Sequence, residues 1–122
     1  MCGITGYYSP EKKFSESELV GMTTAIAHRG PDAVGYYSDE IVGLGHRRLS
    51  IIDLSESANQ PMHSANKRFV MVYNGEVYNF REIAAELKQN FKQEFRTSSD
   101  SEVILEAYAR YGADFVKKLN GM

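Results

Sequence analysis

Cysteine is nearly absent from this sequence: Cys2 is the single one, so no disulfide can form within the chain. No apolar run approaches the roughly 20 residues that a transmembrane helix needs. The N-terminus lacks the basic start and apolar core of a secretory signal peptide. Together these absences favour a soluble protein in a reducing, cytoplasmic compartment.

An excess of charge of one sign is also missing, because the sequence has 14 Lys and Arg residues and 16 Asp and Glu residues. The basic residues are scattered, which disfavours a nucleic-acid or membrane-surface partner. With 43% hydrophobic and 25% charged residues among 122, the composition predicts one globular domain. The chain stops at Met122 without a charged or flexible tail, which suggests a piece of a longer protein.

Strand patterns dominate the first half of the chain. Residues 2–8, ending before Ser9-Pro10, predict one strand, and residues 34–52 predict two strands around a turn at Ser38-Asp39. A further strand is expected at 67–73 and a short one at 94–97. Because helices follow in the second half, the fold class is α+β, with an antiparallel sheet covered by helices.

Three helix starts carry a capping-box pattern, in which a short polar residue precedes Glu by three positions. The pairs are Ser15 with Glu18, Asn79 with Glu82, and Ser99 with Glu102. Glycine at position 112 predicts the end of the third helix. A short last helix is expected at 113–119.

The Asn74-Gly75 pair permits two interpretations. Flanked by Val72-Tyr73 and Val77-Tyr78, it is typical of a type I′ hairpin turn. A helical pattern begins at Asn79, however, so a returning strand would have only a few residues. The pattern alone leaves the hairpin and a functional role both open.

The position of Cys2 suggests chemistry. A small second residue permits removal of the initiator methionine, which would make Cys2 the N-terminal residue. Its thiol and its free amine then have ordinary pKa values of about 8.5 and about 7.7–8.0, so both exchange protons near neutral pH. A retained Met1 would convert this amine into an amide. Alone the pattern is weak, since cysteine also serves as a small hydrophobic residue.

Five stretches extend the argument to the whole chain. In order they read "MCGITGYY", "HRGPDAVGYY", "GHRRLSIIDLSESANQPM", "YNGEVYNFREI" and "SSDSEVILEAYARYG". Together they resemble the glutaminase domain of the asparagine synthetase family, a class II glutamine amidotransferase of the N-terminal-nucleophile hydrolases. Pro31-Asp32 favours the asparagine synthetase branch. The resemblance implies an αββα sandwich, with residues 1–122 forming the N-terminal part of the domain and the synthetase domain absent.

The resemblance also implies site residues. Cys2 would attack the side-chain amide of glutamine, with the Asn74 amide and the Gly75 N–H stabilising the oxyanion. Substrate binding would involve Arg48 for the α-carboxylate and, for the α-ammonium, Asp100, Glu76 and backbone carbonyls of Ile51 and Ile52. Taken singly, these residues have ordinary interpretations: Arg48 as a solvated strand residue, Glu76 as a surface charge, Asp100 as a helix cap.

Partners and cofactors follow from the same resemblance. Glutamine is the expected substrate, a C-terminal synthetase domain the expected partner, and homo-oligomerisation stays open. The glutaminase step needs no cofactor or metal, whereas ATP and Mg are expected in the missing synthetase domain.

For His28 a structural role is favoured. Ser98 departs from many relatives, which have glycine there. The alternatives are a front domain of a surface-polysaccharide or antibiotic pathway enzyme, or a non-catalytic glutamine-binding module.

Overall fold

The computed structural model describes residues 1–51 and 53–122 of the chain. Its elements are β1 (Gly3–Tyr8), α1 (Glu16–Ala25), β2 (Ala33–Ser38), β3 (Val42–Arg48), β4 (Met62–His63), β5 (Val70–Met71), α2 (Phe80–Phe91) and α3 (Asp100–Tyr111). Short 3-10 helices lie at Ala27–Arg29, Glu56–Ala58 and Gly112–Lys118. This mixture of helices and antiparallel strands agrees with the α+β prediction. Within the described ranges, no helix has the length and apolar character to cross a membrane.

The chain divides into two compact units. The first comprises Met1–Ile51, Asn59–Met62 and Met71–Asn74, and the second comprises residues 53–58, 63–70 and 75–122. The strands β4 and β5 pair with each other as a separate two-stranded sheet.

A three-stranded sheet forms the framework of the first unit. Its order is β1-β3-β2 with antiparallel pairing throughout, so the long central strand β3 is flanked on both sides. The turn between β2 and β3 is held by Asp39, whose Oδ1 accepts the N–H groups of Ile41 and Val42, each at 2.8 Å. The hairpin predicted at Ser38-Asp39 is confirmed.

Helix α1 covers one face of this sheet. Its fully buried Thr23 hydroxyl lies 2.7 Å from the Thr5 hydroxyl of β1, and Arg47 Nε of β3 donates to the Thr23 carbonyl at 3.1 Å. The predicted capping residue is confirmed, since the Ser15 N–H donates to Glu18 at 2.6 Å. Because side chains alternate along a strand, the neighbours of Arg47 in β3 point to the opposite face.

Helix α3 is the most buried element of the second unit, with eight consecutive buried residues from Asp100 to Ala107. It begins as predicted, because the Glu102 N–H donates to the Ser99 hydroxyl at 3.3 Å. It also ends as predicted at Gly112, whose φ of 61° lies in the region that favours glycine. The core of this unit includes Ile83 and Leu87 of α2.

The prediction of a type I′ hairpin turn at Asn74-Gly75 is wrong. Such a turn needs a positive φ at both central residues, and neither residue is among those with positive φ. Instead of returning onto the preceding strand, Val77 pairs antiparallel with Gly121. Glu76 and Met122 exchange both backbone hydrogen bonds at 2.8 Å.

Two further sequence predictions are wrong because the groups concerned have other hydrogen-bond partners. Residues 94–97 form no strand, because the Arg96 and Thr97 N–H groups donate to the Glu102 carboxylate. Asn79 precedes α2 without capping it through its side chain. Its Oδ1 accepts the Asn120 N–H at 2.9 Å and its Nδ2 donates to the Lys118 carbonyl at 2.8 Å, so both ends of the amide are already engaged.

Candidate active site

The half-buried Cys2 lies directly before β1. Its Sγ is 3.3 Å from the Leu49 nitrogen and 3.6 Å from the Leu49 carbonyl oxygen. The thiol can therefore donate to the carbonyl while accepting from the N–H.

Arg48 ends β3 and directly precedes Leu49, whose backbone contacts the Cys2 sulfur. Strand β1 pairs Gly3 with Arg47, and extending this antiparallel register by one residue sets Cys2 opposite Arg48, on the sheet face that α1 does not cover. Arg48 is only 7% exposed, and its Nη1 donates to Asn59 Oδ1 at 2.6 Å. The interpretation of Arg48 as a solvated strand residue is therefore wrong.

Asp32 supports the segment that follows Arg48. Its Oδ2 accepts the Ser50 N–H at 2.7 Å, while its own N–H donates to the Arg48 carbonyl at 3.0 Å. These two bonds bracket the Leu49 backbone, to which the Cys2 sulfur bonds. Asp32 thus stabilises the backbone around the thiol, a role that the sequence did not reveal.

The rest of the 28–32 loop packs against the same segment. Gly30 is buried so closely on β3 that an added Cβ would lie 2.4 Å from the carbonyl carbon and oxygen of Arg47. Arg29 Nε donates to the Cys2 carbonyl at 3.3 Å. His28 is exposed at the start of this loop. The contacts of Gly30 and Arg29 give this loop a structural role, and the structural role expected for His28 stays a prediction.

Asn74 directly follows Tyr73, whose backbone N–H and carbonyl are both hydrogen-bonded. The Tyr73 N–H donates to Gln60 Oε1 at 2.5 Å, and the Tyr73 carbonyl lies 3.3 Å from His46 Nε2. His46 is 1% exposed and shares the Arg48 face of β3, two positions away. Asn74 itself is exposed.

The protonation state of His46 follows from its surroundings. Burial lowers the pKa of His46 below its ordinary value and the Arg48 charge acts in the same direction, whereas the Tyr73 carbonyl opposes the shift. The imidazole is therefore neutral near pH 7. Because a carbonyl oxygen can only accept, the proton resides on Nε2 in this bond.

Asp100 is the best-anchored site candidate of the second unit. It is 5% exposed, and its Oδ2 accepts the Val77 N–H at 3.0 Å. The capping of α3 is performed by Ser99, so the carboxylate of Asp100 is engaged elsewhere. Gly75 and Glu76, just before Val77, are exposed.

Two carboxylates hold the loop that leads to Asp100. Glu102, 1% exposed, accepts the Thr97 N–H and hydroxyl, each at 2.7 Å. Asp53 Oδ2 accepts the Ser98 N–H at 2.9 Å and the Ser98 hydroxyl at 3.1 Å. Hydrogen bonds from Ser55 and Ser98 hold the pKa of Asp53 far below its ordinary value. Ser98, the departure from the expected glycine, thereby gains a partner.

The predicted site residues fall into both units. Cys2, Arg48, Ile51 and Asn74 belong to the first, with Cys2 and Arg48 on one sheet face, and Gly75, Glu76 and Asp100 belong to the second. Ile51 is exposed, and Ile52 lies outside the described residues.

Sequence reasoning missed several polar residues that surround the predicted site residues. The structure adds polar residues that bond to those candidates or to residues near them: Asp32, His46, Asn59, Gln60, Asp53 and Glu102. Only His46 had a usable signal, because residues two apart in a strand share a face. Across residues 1–51 and 53–122, no group of three or more His, Cys, Asp or Glu side chains could hold a metal ion.

Comparisons with known proteins show which family the chain matches. A family model described as a glutamine amidotransferase domain matches residues 1–122. The chain is 40% identical to asparagine synthetase [glutamine-hydrolyzing] 1 of Bacillus subtilis and 40% identical to asparagine synthetase [glutamine-hydrolyzing] of Zea mays, with all of this chain covered in both. It is 42% identical over 99% of its length to the amidase chry2 of Gibberella zeae. The chain spans 20% of the length of each of these three relatives. It belongs to the glutamine amidotransferase domain family.

Proposed function

We propose that this chain hydrolyses glutamine to glutamate and ammonia through a thioester on Cys2. The observation that carries the proposal is the contact of the chain's single thiol with the backbone of Leu49, the residue directly after the buried Arg48. A nucleophile beside a planar cation suits an amino-acid substrate, because a guanidinium binds a carboxylate through two parallel hydrogen bonds. Family membership over the whole chain supports the same reaction.

The reaction begins after removal of Met1, whose exposure is compatible with enzymatic cleavage. The Cys2 amine takes the thiol proton, and the sulfur attacks the amide carbon of glutamine to form a tetrahedral oxyanion. The Asn74 amide and the Gly75 N–H stabilise that oxyanion. The C–N bond then breaks, and the amine gives its proton to the leaving ammonia. Water hydrolyses the resulting thioester and restores the thiol.

Recognition of the amino-acid end of glutamine is assigned to separate charges. Arg48 binds the α-carboxylate, and Asp100 binds the α-ammonium with help from Glu76 and the carbonyls of Ile51 and Ile52. The burial of Arg48 and Asp100 favours this assignment, since charge-assisted hydrogen bonds are stronger away from water.

We infer that residues 1–122 form the N-terminal part of an αββα N-terminal-nucleophile domain. A further, ATP-dependent domain would receive the ammonia, and ATP and Mg would bind there. Among residues 1–51 and 53–122, no group of His, Cys, Asp or Glu side chains fits a metal ion, so the residues that would hold Mg belong to that further domain.

The acceptor of the ammonia is proposed to be an activated aspartate, giving asparagine, because relatives at 40% identity are named asparagine synthetases. A second candidate is amide formation on another carboxylate. It is kept because relatives with other names, amidase chry2 and amidase chyE, match at 42% and 37% identity over 99% of this chain.

The test uses the complete gene product. Intact-mass analysis should find Met1 removed, and Cys2→Ala should abolish glutamate release while glutamine binding persists. If free ammonia still supports amide formation by Cys2→Ala, the thiol serves only the ammonia-supplying step. An active enzyme that retains Met1, or a Cys2→Ala variant that still hydrolyses glutamine, would refute the thioester route. Comparing aspartate with other carboxylates as acceptors separates the two candidates.

A further inference from the structure

We propose that His46 and Gln60 are positioning residues for Asn74, because together they hold the backbone of Tyr73. This inference rests on the proposed function, in which the Asn74 amide stabilises the oxyanion. Neither residue needs to touch the substrate. Each acts through one backbone hydrogen bond to the residue directly before Asn74.

The two bonds hold opposite sides of Tyr73. Gln60 accepts its N–H at 2.5 Å, and His46 Nε2 donates to its carbonyl oxygen at 3.3 Å. The Tyr73 carbonyl belongs to the same planar peptide group as the Asn74 N–H. Fixing that oxygen therefore fixes the orientation of the peptide that leads into the Asn74 Cα.

Both holding residues are anchored on the sheet. His46 lies in the central strand, paired with Ile4 on one side and Gly35 on the other, and is 1% exposed. Gln60 is 7% exposed and lies against β2 at Gly35, where an added Cβ would lie 2.0 Å from the Gln60 carbonyl oxygen. The absence of a side chain at Gly35 is what permits this approach.

Asn74, in contrast, has little support of its own. Strand β5 ends at Met71, and residues 72–74 lie in no helix or strand. An oxyanion donor must lie about 2.7–3.1 Å from the developing charge, and a misplacement of about 1 Å can cost on the order of 100-fold in rate. Asn74 is exposed and outside regular structure, so the two bonds to Tyr73 fix its position in the way that the sheet fixes the position of Arg48.

The neutral state of His46 suits this role. A neutral imidazole with its proton on Nε2 donates one hydrogen bond to the carbonyl without burying a second positive charge near Arg48. The amide nitrogen of a glutamine at position 46 could donate in a similar way, whereas leucine could not. This difference provides a matched pair of variants.

The experiment compares His46→Leu and His46→Gln in the complete gene product, with the exposed His63→Leu as control. Glutamine hydrolysis is measured together with binding of the γ-semialdehyde of glutamate. This aldehyde adds the Cys2 sulfur to its carbonyl carbon while the oxygen takes up the thiol proton, giving a tetrahedral adduct with its oxygen at the oxyanion position. Binding of glutamate, which forms no such adduct, is the reference.

For His46→Leu we expect kcat to fall about 10- to 100-fold and the affinity for the aldehyde to fall by a similar factor. The KM for glutamine and the affinity for glutamate should change less than about threefold, since Arg48 and Asp100 are untouched. His46→Gln should recover most of the loss, and His63→Leu should match the wild type.

A second pair keeps the proposal testable if His46→Leu does not fold. Gln60→Leu removes the acceptor for the Tyr73 N–H, and Gln60→Glu keeps an acceptor oxygen, so only the first should lose kcat. The proposal is overturned if both pairs keep the wild-type kcat, or if KM rises while kcat stays constant. A wild-type protein that releases no glutamate would refute the proposed function as well, which distinguishes the two failures.

Discussion

The Oδ2 atom of Asp100 lies 3.0 Å from the backbone nitrogen of Val77. One buried carboxylate thereby joins the first turn of α3 to the chain just after Gly75. The bond needs only an oxygen acceptor at this position, whereas recognition of a substrate ammonium needs the negative charge. The two roles can therefore be separated by mutation.

Asp100→Asn should separate them. The asparagine oxygen can still accept the Val77 N–H, so the free energy of unfolding should change by no more than about 1 kcal/mol. Loss of the charge should raise the KM for glutamine about 10-fold or more, as expected for a charge-assisted bond of about 1.5–3 kcal/mol. Asp100→Ala should lose stability as well. An unchanged KM in Asp100→Asn would exclude Asp100 as the ammonium partner.

Arg48→Lys should weaken glutamine binding although it keeps the positive charge. Lysine has no planar fork for a carboxylate and cannot reproduce the present geometry toward Asn59. Steady-state kinetics should show a KM about 10-fold higher. The matched control is Arg47→Lys, because Arg47 faces α1 and bonds the Thr23 carbonyl. If both variants raise KM equally, the effect comes from the strand and not from the guanidinium.

Glu102→Gln should destabilise the second unit. The variant's free energy of unfolding should also depend less on pH at acid pH than that of the wild type. Burial alone would raise the pKa of Glu102, but hydrogen bonds from Arg96 and Thr97 hold the pKa below its ordinary value. A lowered folded-state pKa contributes stability above about pH 4.5, and this contribution is lost as the pH falls below that value. Urea unfolding between pH 3 and pH 7 measures it, with the exposed Glu82→Gln as control. If the free energy of unfolding of Glu102→Gln falls with decreasing pH as steeply as that of the wild type, the prediction is contradicted.

His46 should make the free energy of unfolding depend on pH between pH 7 and pH 5. Because burial lowers its folded-state pKa, the unfolded chain binds more protons once the pH falls toward the ordinary value of about 6.5. The free energy of unfolding should therefore decrease as the pH falls below about 6.5. His46→Gln, which has no titratable group, should lose this part of the dependence. If the two proteins show parallel profiles between pH 7 and pH 5, the imidazole titrates as it does in the unfolded chain.

The sequence by itself determined the features that depend on neighbouring residues. The hairpin at Ser38-Asp39, the starts of α1 and α3 at Ser15 and Ser99, and the stop at Gly112 were all predicted, because caps and turns act over three or four residues. The strand predicted at residues 2–8 is also present, although it begins one residue later, at Gly3. The family was predicted from five ordered motifs, which is information about the whole chain but not about its contacts.

Only the tertiary structure decided which distant groups meet. Val77 looked like the return of a hairpin but pairs with Gly121, and the Asn79 side chain bonds residues 118 and 120 instead of capping α2. His46 and Gln60 bond Tyr73 across sequence separations of 27 and 13 residues. A buried polar group must find a partner wherever the folded chain supplies one, and local patterns contain no record of where that partner is.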